Sequence, residues 1–198
     1  EWNNPGTIGN LTSGGKLLAS FFQSVTLRTA GFASFDQNAL TEASKVLSCF
    51  LMFIGGSSGS TAGGVKTVTM GIVILSAVST MRGRRQVTVF RHSIAQQDVM
   101  NAMSIALLVL SLSVLGAAVI TVCDGVTFLN AVYETVSALC TVGLTTGITP
   151  ALCTASKLIL IVFMFFGRVG IMTIGVGFMM GDRARERVQY AETKVMIG

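Results

Sequence analysis

The sequence predicts an all-α membrane protein made of two equivalent helix–loop–helix units. Three observations carry that prediction. The first is an internal duplication at an offset of 112 residues with no gap. Thr29-Ala30-Gly31-Phe32 pairs with Thr141-Val142-Gly143-Leu144, and Ala43-Ser44-Lys45 pairs with Ala155-Ser156-Lys157. Met52-Phe53-Ile54-Gly55 pairs with Met164-Phe165-Phe166-Gly167 in the same register. A repeat of this kind sets the architecture before any local reading. The second observation is composition. Half of the chain (51%) is hydrophobic and only 12% is charged, against about a quarter charged in soluble domains. The mean hydropathy is +0.70. The third is the length of the apolar runs. Residues 99–123 are 25 consecutive uncharged residues, enough to cross a hydrocarbon core of about 30 Å. Residues 158–181 form a second run, interrupted by Arg168 alone. Residues 46–81 form a third, long enough to span but broken in its middle.

The charges fix an expected orientation. Arg82, Arg84, Arg85 and Arg91 cluster in one segment, and Arg183, Arg185, Arg187 and Lys194 in another, eight of the fourteen basic residues in all. Basic loops beside spans stay cytoplasmic. Both segments lie inside if one helix (about 97–123) goes out and one (about 153–181) returns. The localisation expected is therefore a plasma membrane, crossed several times, with residues 82–91 and the C-terminus cytoplasmic and both repeated motifs on the outer side. The net charge of +5 reads as topology, and no nucleic-acid partner is expected. The chain opens at Glu1 without a visible secretory signal, and the expectation is a piece of a longer protein.

Taken in order, residues 1–15 are an outer segment rich in Asn, Gly and Thr. Residues 16–25 are a short amphipathic helix, too short to span, and residues 26–32 an extended strand. Residues 41–54 are an apolar half-helix, broken by the glycine-rich stretch 55–64 and resumed over 65–81. A complete helix (about 97–123) opens the second unit. A short helix (127–139), a strand (140–144) and a long helix (about 153–181) follow. A short helix, a non-helical strand and a return outward make a re-entrant loop, and such bare backbone survives at membrane depth only where it lines a polar cavity or is buried in protein. The units are bounded at 1–96 and 97–198. Cys49, Cys123, Cys140 and Cys153 form no CxxC pair and have no histidine close by, which argues against a metal site. Buried free thiols are expected, with a Cys123–Cys153 disulfide as the alternative.

The repeated motif suits cation conduction. Extended backbone at Thr29, Ala30, Gly31 and at Thr141, Val142, Gly143 can turn carbonyl oxygens inward to replace an ion's water. Glycine reaches backbone angles closed to other residues. A lone Thr-x-Gly carries little, but two copies in a duplicated frame predict helix–pore-loop–helix repeats related to potassium channels. Potassium is the expected ion, with sodium as the alternative, held at Gly31 and Gly143; no organic cofactor is expected. The plainer alternative is that both glycines only make tight turns.

Gly55-Gly56-Ser57-Ser58-Gly59-Ser60-Thr61-Ala62-Gly63-Gly64 cannot stay helical cheaply, at about 1 kcal/mol per glycine relative to alanine. A loop inside the membrane below the filter, acting as a gate with Lys66 and Arg168, is expected; a kink without a gating role is the alternative. A phosphate-binding reading fails because Val65 intervenes before Lys66, where that motif needs lysine next to glycine. Arg168 lies mid-helix, where a charge costs at least about 2.5 kcal/mol and is usually functional or paired. The offset pairs it with Gly56, so it either anchors the loop, repels ions, or holds helices in a static ion pair. Glu134 and Arg28 are candidate supporting ions behind the filter, with surface placement at the outer mouth as the alternative.

Thr26-Leu27-Arg28-Thr29-Ala30-Gly31-Phe32, the stretch 55–67, Phe166-Gly167-Arg168 and the ending 190–198 together resemble the Trk, Ktr and HKT potassium transporter superfamily over nearly the whole chain. The ending is most like that of the Ktr membrane pore subunits (KtrB). The resemblance implies four helix–pore-loop–helix repeats in one longer chain. Residues 1–96 would be the third, lacking its first helix, and residues 97–198 the complete fourth. It implies an intramembrane gating loop at 55–64 bordered by Arg168, filter glycines at Gly31 and Gly143, a homodimer in the lipid bilayer, and a cytosolic nucleotide-binding regulatory ring of the KtrA/TrkA type. Two other readings compete. A tandem-pore potassium channel would keep Tyr-Gly where Phe32-Ala33 and Leu144-Thr145 stand. A nucleotide-driven membrane enzyme would need a soluble catalytic domain. No enzymatic activity is expected.

Overall fold

A computed structural model describes residues 1–57, 59–60, 62–83, 86–89 and 92–169. Ser58 and Thr61 of the expected gate, Arg84, Arg85 and Arg91 of the linker, and the tail beyond 169 lie outside the described residues. Six α-helices lie among the described residues: α1 (Ser13–Thr26), α2 (Glu42–Phe53), α3 (Thr67–Met81), α4 (Gln96–Asp124), α5 (Phe128–Leu139) and α6, described over Thr154–Val169. Local chemistry sets their ends. Thr12 caps α1 by accepting from the Gly15 N–H, and Thr41 caps α2 by accepting from the Ser44 N–H, with Glu42 in the first turn facing the positive end of the helix dipole. Helix α4 stops at Gly125, which takes the left-handed conformation (φ 64°) that a helix C-terminus favours in glycine. Its 29 residues extend about 44 Å at the usual rise, and it is the one described helix long and apolar enough to span a membrane.

Helices α4, α5 and α6 pack on one another, α2 lies against α5, and α3 lies along α4. Tyr133, Leu139, Cys140, Val142, Met52 and Val65 form the centre of the core. The centre therefore sits at the end of α5 and the residues that follow it. The outer faces are apolar: Leu18 of α1 is 71% exposed, and Leu107 and Phe165 are comparably bare. Faces like these suit a bilayer or further protein as surroundings.

The structure departs from the sequence expectations at four places. Residues 26–32 and 140–144 are not extended strands: α1 runs on to Thr26, and the backbone then reverses through left-handed residues. Helix α3 starts at Thr67, because Val65 is taken up in a parallel backbone bridge with Ile54. A short antiparallel ladder, β1 (Thr88–Val89) with β2 (His92–Ser93), interrupts the all-α pattern in the linker. The cysteines are free thiols; Cys49 and Cys140 are buried as expected, but Cys123 is exposed and unpaired with Cys153.

Candidate functional site

The 112-residue offset reappears as geometry. Helices α2 and α6 begin 112 residues apart, at Glu42 and Thr154. So do two 3-10 turns, Gln37–Ala39 and Thr149–Ala151. The left-handed residues match as well: Thr29 (φ 68°) and Gly31 (φ 78°) in the first unit, Thr141 (φ 55°) and Gly143 (φ 88°) in the second. Every other residue is left-handed. Such alternation rotates successive peptide planes so that neighbouring carbonyls turn to one side, the arrangement a carbonyl-lined ion path needs. A β-branched residue held at positive φ costs of order 1–3 kcal/mol and persists only where its surroundings over-determine it.

Hydrogen bonds supply that determination. In the first unit the Ala30 and Gly31 N–H groups both donate to Thr26 O. The Thr26 hydroxyl donates to Phe32 O (2.7 Å) and accepts from Phe32 N (2.8 Å). In the second unit Val142 N donates to Ser137 O, and the Ser137 hydroxyl donates to Leu144 O at 2.5 Å. The two segments meet: the place a Cβ would take on Gly31 is filled by the Val142 carbonyl oxygen. Ala30 lies on the exposed side of this contact, and Val142 is buried.

Each segment has polar support behind it. Buried Glu134 of α5 accepts from the Thr145 hydroxyl (2.7 Å), the Thr146 N–H (2.8 Å) and hydroxyl (3.0 Å), and the Thr149 hydroxyl (2.9 Å). In the first unit buried Gln23 of α1 donates to Gln37 Oε1 at 2.6 Å, and Gln37 donates to Phe35 O. Gln37 and Thr149 are equivalent under the offset, and both tie the chain after the segment to the short helix before it. Glu134 thus lies behind the second segment rather than at a surface, whereas Arg28 is exposed. Sequence reasoning passed over Gln23 and Gln37; glutamines have no charge to mark them in an apolar run.

A carboxylate also holds the start of each following helix. Glu1 accepts from the Thr41 N–H (2.8 Å) and hydroxyl (2.9 Å) through one oxygen, and from Asn4 and Thr7 through the other. Burial pushes the Glu1 carboxyl up, but hydrogen bonds from Thr41, Ser44 and Thr7 outweigh it and bring it down to about 2. Asp124 accepts from the Cys153 N–H at 2.6 Å and from the Ser156 hydroxyl. Thr41 and Cys153 are equivalent positions, but the two acids are not related by the offset, so the repeat could not reveal them.

The glycine-rich loop is pinched at its base. Gly55 N donates to Val65 O (2.9 Å), Val65 N to Phe53 O (3.1 Å) and Thr67 N to Gly56 O (3.2 Å). Within it the Ser60 hydroxyl donates to Ser57 O at 2.6 Å, and Lys66 Nζ donates to Ser60 O at 2.9 Å. Lys66 closes the loop on itself, and the flanking elements are helices, not the strand a phosphate loop requires. Gly59 (φ 86°) and Gly64 (φ 72°) bend it. Its returning limb lies against the second segment: Gly63 N donates to Thr141 Oγ1 at 2.9 Å. Ala62, Gly63, Gly64, Lys66 and Arg168 line a common cavity of about 270 Å³. Arg168 also borders a larger one, about 540 Å³, with Glu134, Thr141 and Gly143. The structure therefore gathers the described residues of the loop, Arg168 and the second segment into one neighbourhood, with the first segment against its side. Among the described residues, no cluster of His, Cys, Asp and Glu fit to hold a metal is present; besides the Glu134 carboxylate, which accepts four hydrogen bonds, the oxygens here are carbonyls and hydroxyls, which suit a hard monovalent cation.

A duplicated, mostly helical fold with paired left-handed segments beside Arg168, an arginine carried on an apolar helix, defines the class: a helical membrane protein. The chain belongs to the TrkH family of cation transport proteins, whose pattern matches residues 3–185. It is 40% identical over 198 residues to the Ktr system potassium uptake protein B of Bacillus subtilis, covering 100% of this chain and 44% of that protein. It is 39% identical over 188 residues to the potassium/sodium uptake protein NtpJ of Enterococcus hirae, covering 92% of this chain and 42% of that one. Among solved structures, the potassium transporter TrkH from Vibrio parahaemolyticus is similar with a TM-score of 0.66 and 25% identity, over 86% of this chain and 38% of that chain. The chain thus spans less than half the length of these relatives. Family membership places it in a membrane.

Proposed function

We propose that this chain is the C-terminal part of a potassium-uptake protein, in which residues 1–96 are the third pore repeat and residues 97–198 the fourth. Thr29, Ala30, Gly31 and Thr141, Val142, Gly143 supply half of a selectivity filter, with potassium held at Gly31 and Gly143. Residues 55–64 with Lys66 and Arg168 are the gate. Ions move down their electrochemical gradient, and no covalent chemistry is performed. The observation that carries this reading is the matched left-handed pattern at Thr29/Gly31 and Thr141/Gly143, since alternating hand is what aligns carbonyls along a path. Support for potassium comes from the relatives named for its uptake; the potassium/sodium relative makes sodium the competing ion. The filter side faces outward and the 82–91 linker and C-terminus face the cytosol. The full protein is a homodimer in the bilayer, regulated by a cytosolic nucleotide-binding ring of the KtrA/TrkA type.

The test is potassium-limited growth and ion uptake in a transport-deficient bacterium expressing the full-length parent. Rescue is expected, and Gly143→Ser is expected to weaken the preference for potassium over sodium. Unchanged uptake of both ions in Gly31→Ser and Gly143→Ser would remove the filter assignment.

A further inference from the structure

We propose that the Thr141 side chain is a latch between the glycine-rich loop and the filter, and that the docked loop and a cation at the loop end of the filter compete for its hydroxyl. The inference rests on the filter and gate reading above. Its basis is one contact reaching across 78 residues: the Gly63 N–H donates to Thr141 Oγ1 at 2.9 Å. The loop belongs to the first unit but docks on the segment of the second, so the contact joins the two.

The fit around Thr141 leaves little freedom. A Cβ on Gly63 would stand 2.6 Å from Thr141 Oγ1 and 2.8 Å from Cys140 O, so only glycine lets the loop come this close. A Cβ on Gly167 would likewise stand 2.9 Å from Thr141 Cγ2 and would strike Leu139 O. The methyl is thus packed against both Gly63 of the loop and Gly167 of α6, one residue before Arg168, and the hydroxyl takes the Gly63 N–H. Thr141 is itself left-handed (φ 55°), so its side chain is aimed by the same backbone reversal that orders the carbonyls.

The chemistry makes the hydroxyl a shared resource. A threonine oxygen offers two lone pairs, and hydroxyl and carbonyl oxygens are what a partly dehydrated alkali cation takes as ligands. When Gly63 donates to that oxygen, the positive end of its N–H dipole sits where a cation would approach. Loop docking therefore weakens the ion site at this end, and an ion there weakens docking. The coupling is reciprocal, as linkage requires.

The test is hydrogen–deuterium exchange of the loop peptide 54–66 in the purified full-length protein, in potassium chloride and in N-methylglucamine chloride, with an α4 peptide as fold control. Replacing N-methylglucamine by potassium is expected to speed loop exchange about fivefold, the factor that a net hydrogen bond of ordinary strength is worth. Thr141→Val is expected to make exchange fast in both salts. Thr141→Ser, which keeps the hydroxyl, restores slow and potassium-sensitive exchange. Gly63→Ala perturbs the contact from the loop side with the filter sequence intact and is expected to match Thr141→Val. Slow loop exchange in both Thr141→Val and Gly63→Ala would overturn the latch. Potassium-insensitive exchange in the unaltered protein would overturn the competition. Exchange reads the contact without flux, so a protein that fails to take up potassium would count against the proposed function and not against the latch.

Discussion

The Tyr133 hydroxyl donates to Gln37 Oε1 at 3.1 Å, a buried hydrogen bond joining α5 of the second unit to the 3-10 turn of the first. Gln37 Oε1 also accepts from Gln23 at 2.6 Å, so one amide oxygen gathers both units behind their paired segments. Tyr133 is fully buried. A phenol placed there serves its hydroxyl, since phenylalanine would fill the space equally well.

Tyr133→Phe should therefore destabilise the purified protein by about 1 kcal/mol, the net worth of a hydrogen bond whose acceptor keeps another partner. Thermal unfolding in detergent reads this. Gln37→Leu should cost more, because it strands the Gln23 and Tyr133 donors together. Unfolding temperatures in both variants equal to that of the unaltered protein would show that the tie carries no stability.

Glu134 receives four hydrogen bonds from Thr145, Thr146 and Thr149. Glu134→Ala leaves the buried Thr146 N–H and hydroxyl unmet and releases the more open Thr145 and Thr149 hydroxyls, at a cost on the order of 3 kcal/mol. Glu134→Gln keeps one acceptor oxygen and the shape. It should fold, and loosen the residues just past Gly143. The measurement is the potassium-to-sodium uptake ratio, expected to fall in Glu134→Gln with yield preserved. An unchanged ratio would confine Glu134 to folding.

The Glu1 carboxyl lies at about 2 in the folded chain, against an ordinary 4.5. A depressed folded value means that stability is fully present above the unfolded pKa and is lost as pH falls through the folded one. Stability should therefore decline between about pH 4.5 and pH 2 through this group, and Glu1→Gln should remove that component. Solvent screening at a largely exposed carboxylate keeps the effect small. Unfolding temperatures at about pH 5 and pH 3 for both proteins decide it: a parallel decline in the two would locate the pH response elsewhere.

What the sequence revealed of this fold follows from which features leave a local trace. Helix α2 was legible as 41–54 because an apolar run ends there at the glycine-rich stretch, and α4 because nothing charged interrupts 99–123. The left-handed Thr29 and Thr141 were not legible. Threonine is β-branched and favours extended backbone, and only the surrounding hydrogen bonds force it to positive φ. The ladder of Thr88–Val89 and His92–Ser93 is too short to show a two-residue period. At the candidate site, the offset singled out two glycines that share a positive φ but was blind to what does not repeat. Glu134 corresponds to Phe22, and the acids at Thr41 and Cys153 come from unrelated positions. The contact of Gly63 with Thr141 joins residues of different units, and no periodicity within either encodes it.

Arg168 lines the cavity that holds Ala62, Gly63 and Gly64, and also the larger one beside Gly143. Its neighbour Gly167 is pressed against Leu139 O, so the helix backbone is fixed where the guanidinium departs. On the proposed gate reading, a cation lining this cavity favours the docked loop, because a planar fork of donors can serve several carbonyls at once. Arg168→Ala should therefore raise basal uptake in the full-length protein and flatten its response to the regulator. Arg168→Lys, which keeps the charge without the fork, should fall between. Uptake must be normalised to purified, assembled protein. Loss of yield with normal flux per assembled molecule would assign Arg168 to a static ion pair between helices. Raised flux at normal yield, with lysine intermediate, would assign it to holding the loop.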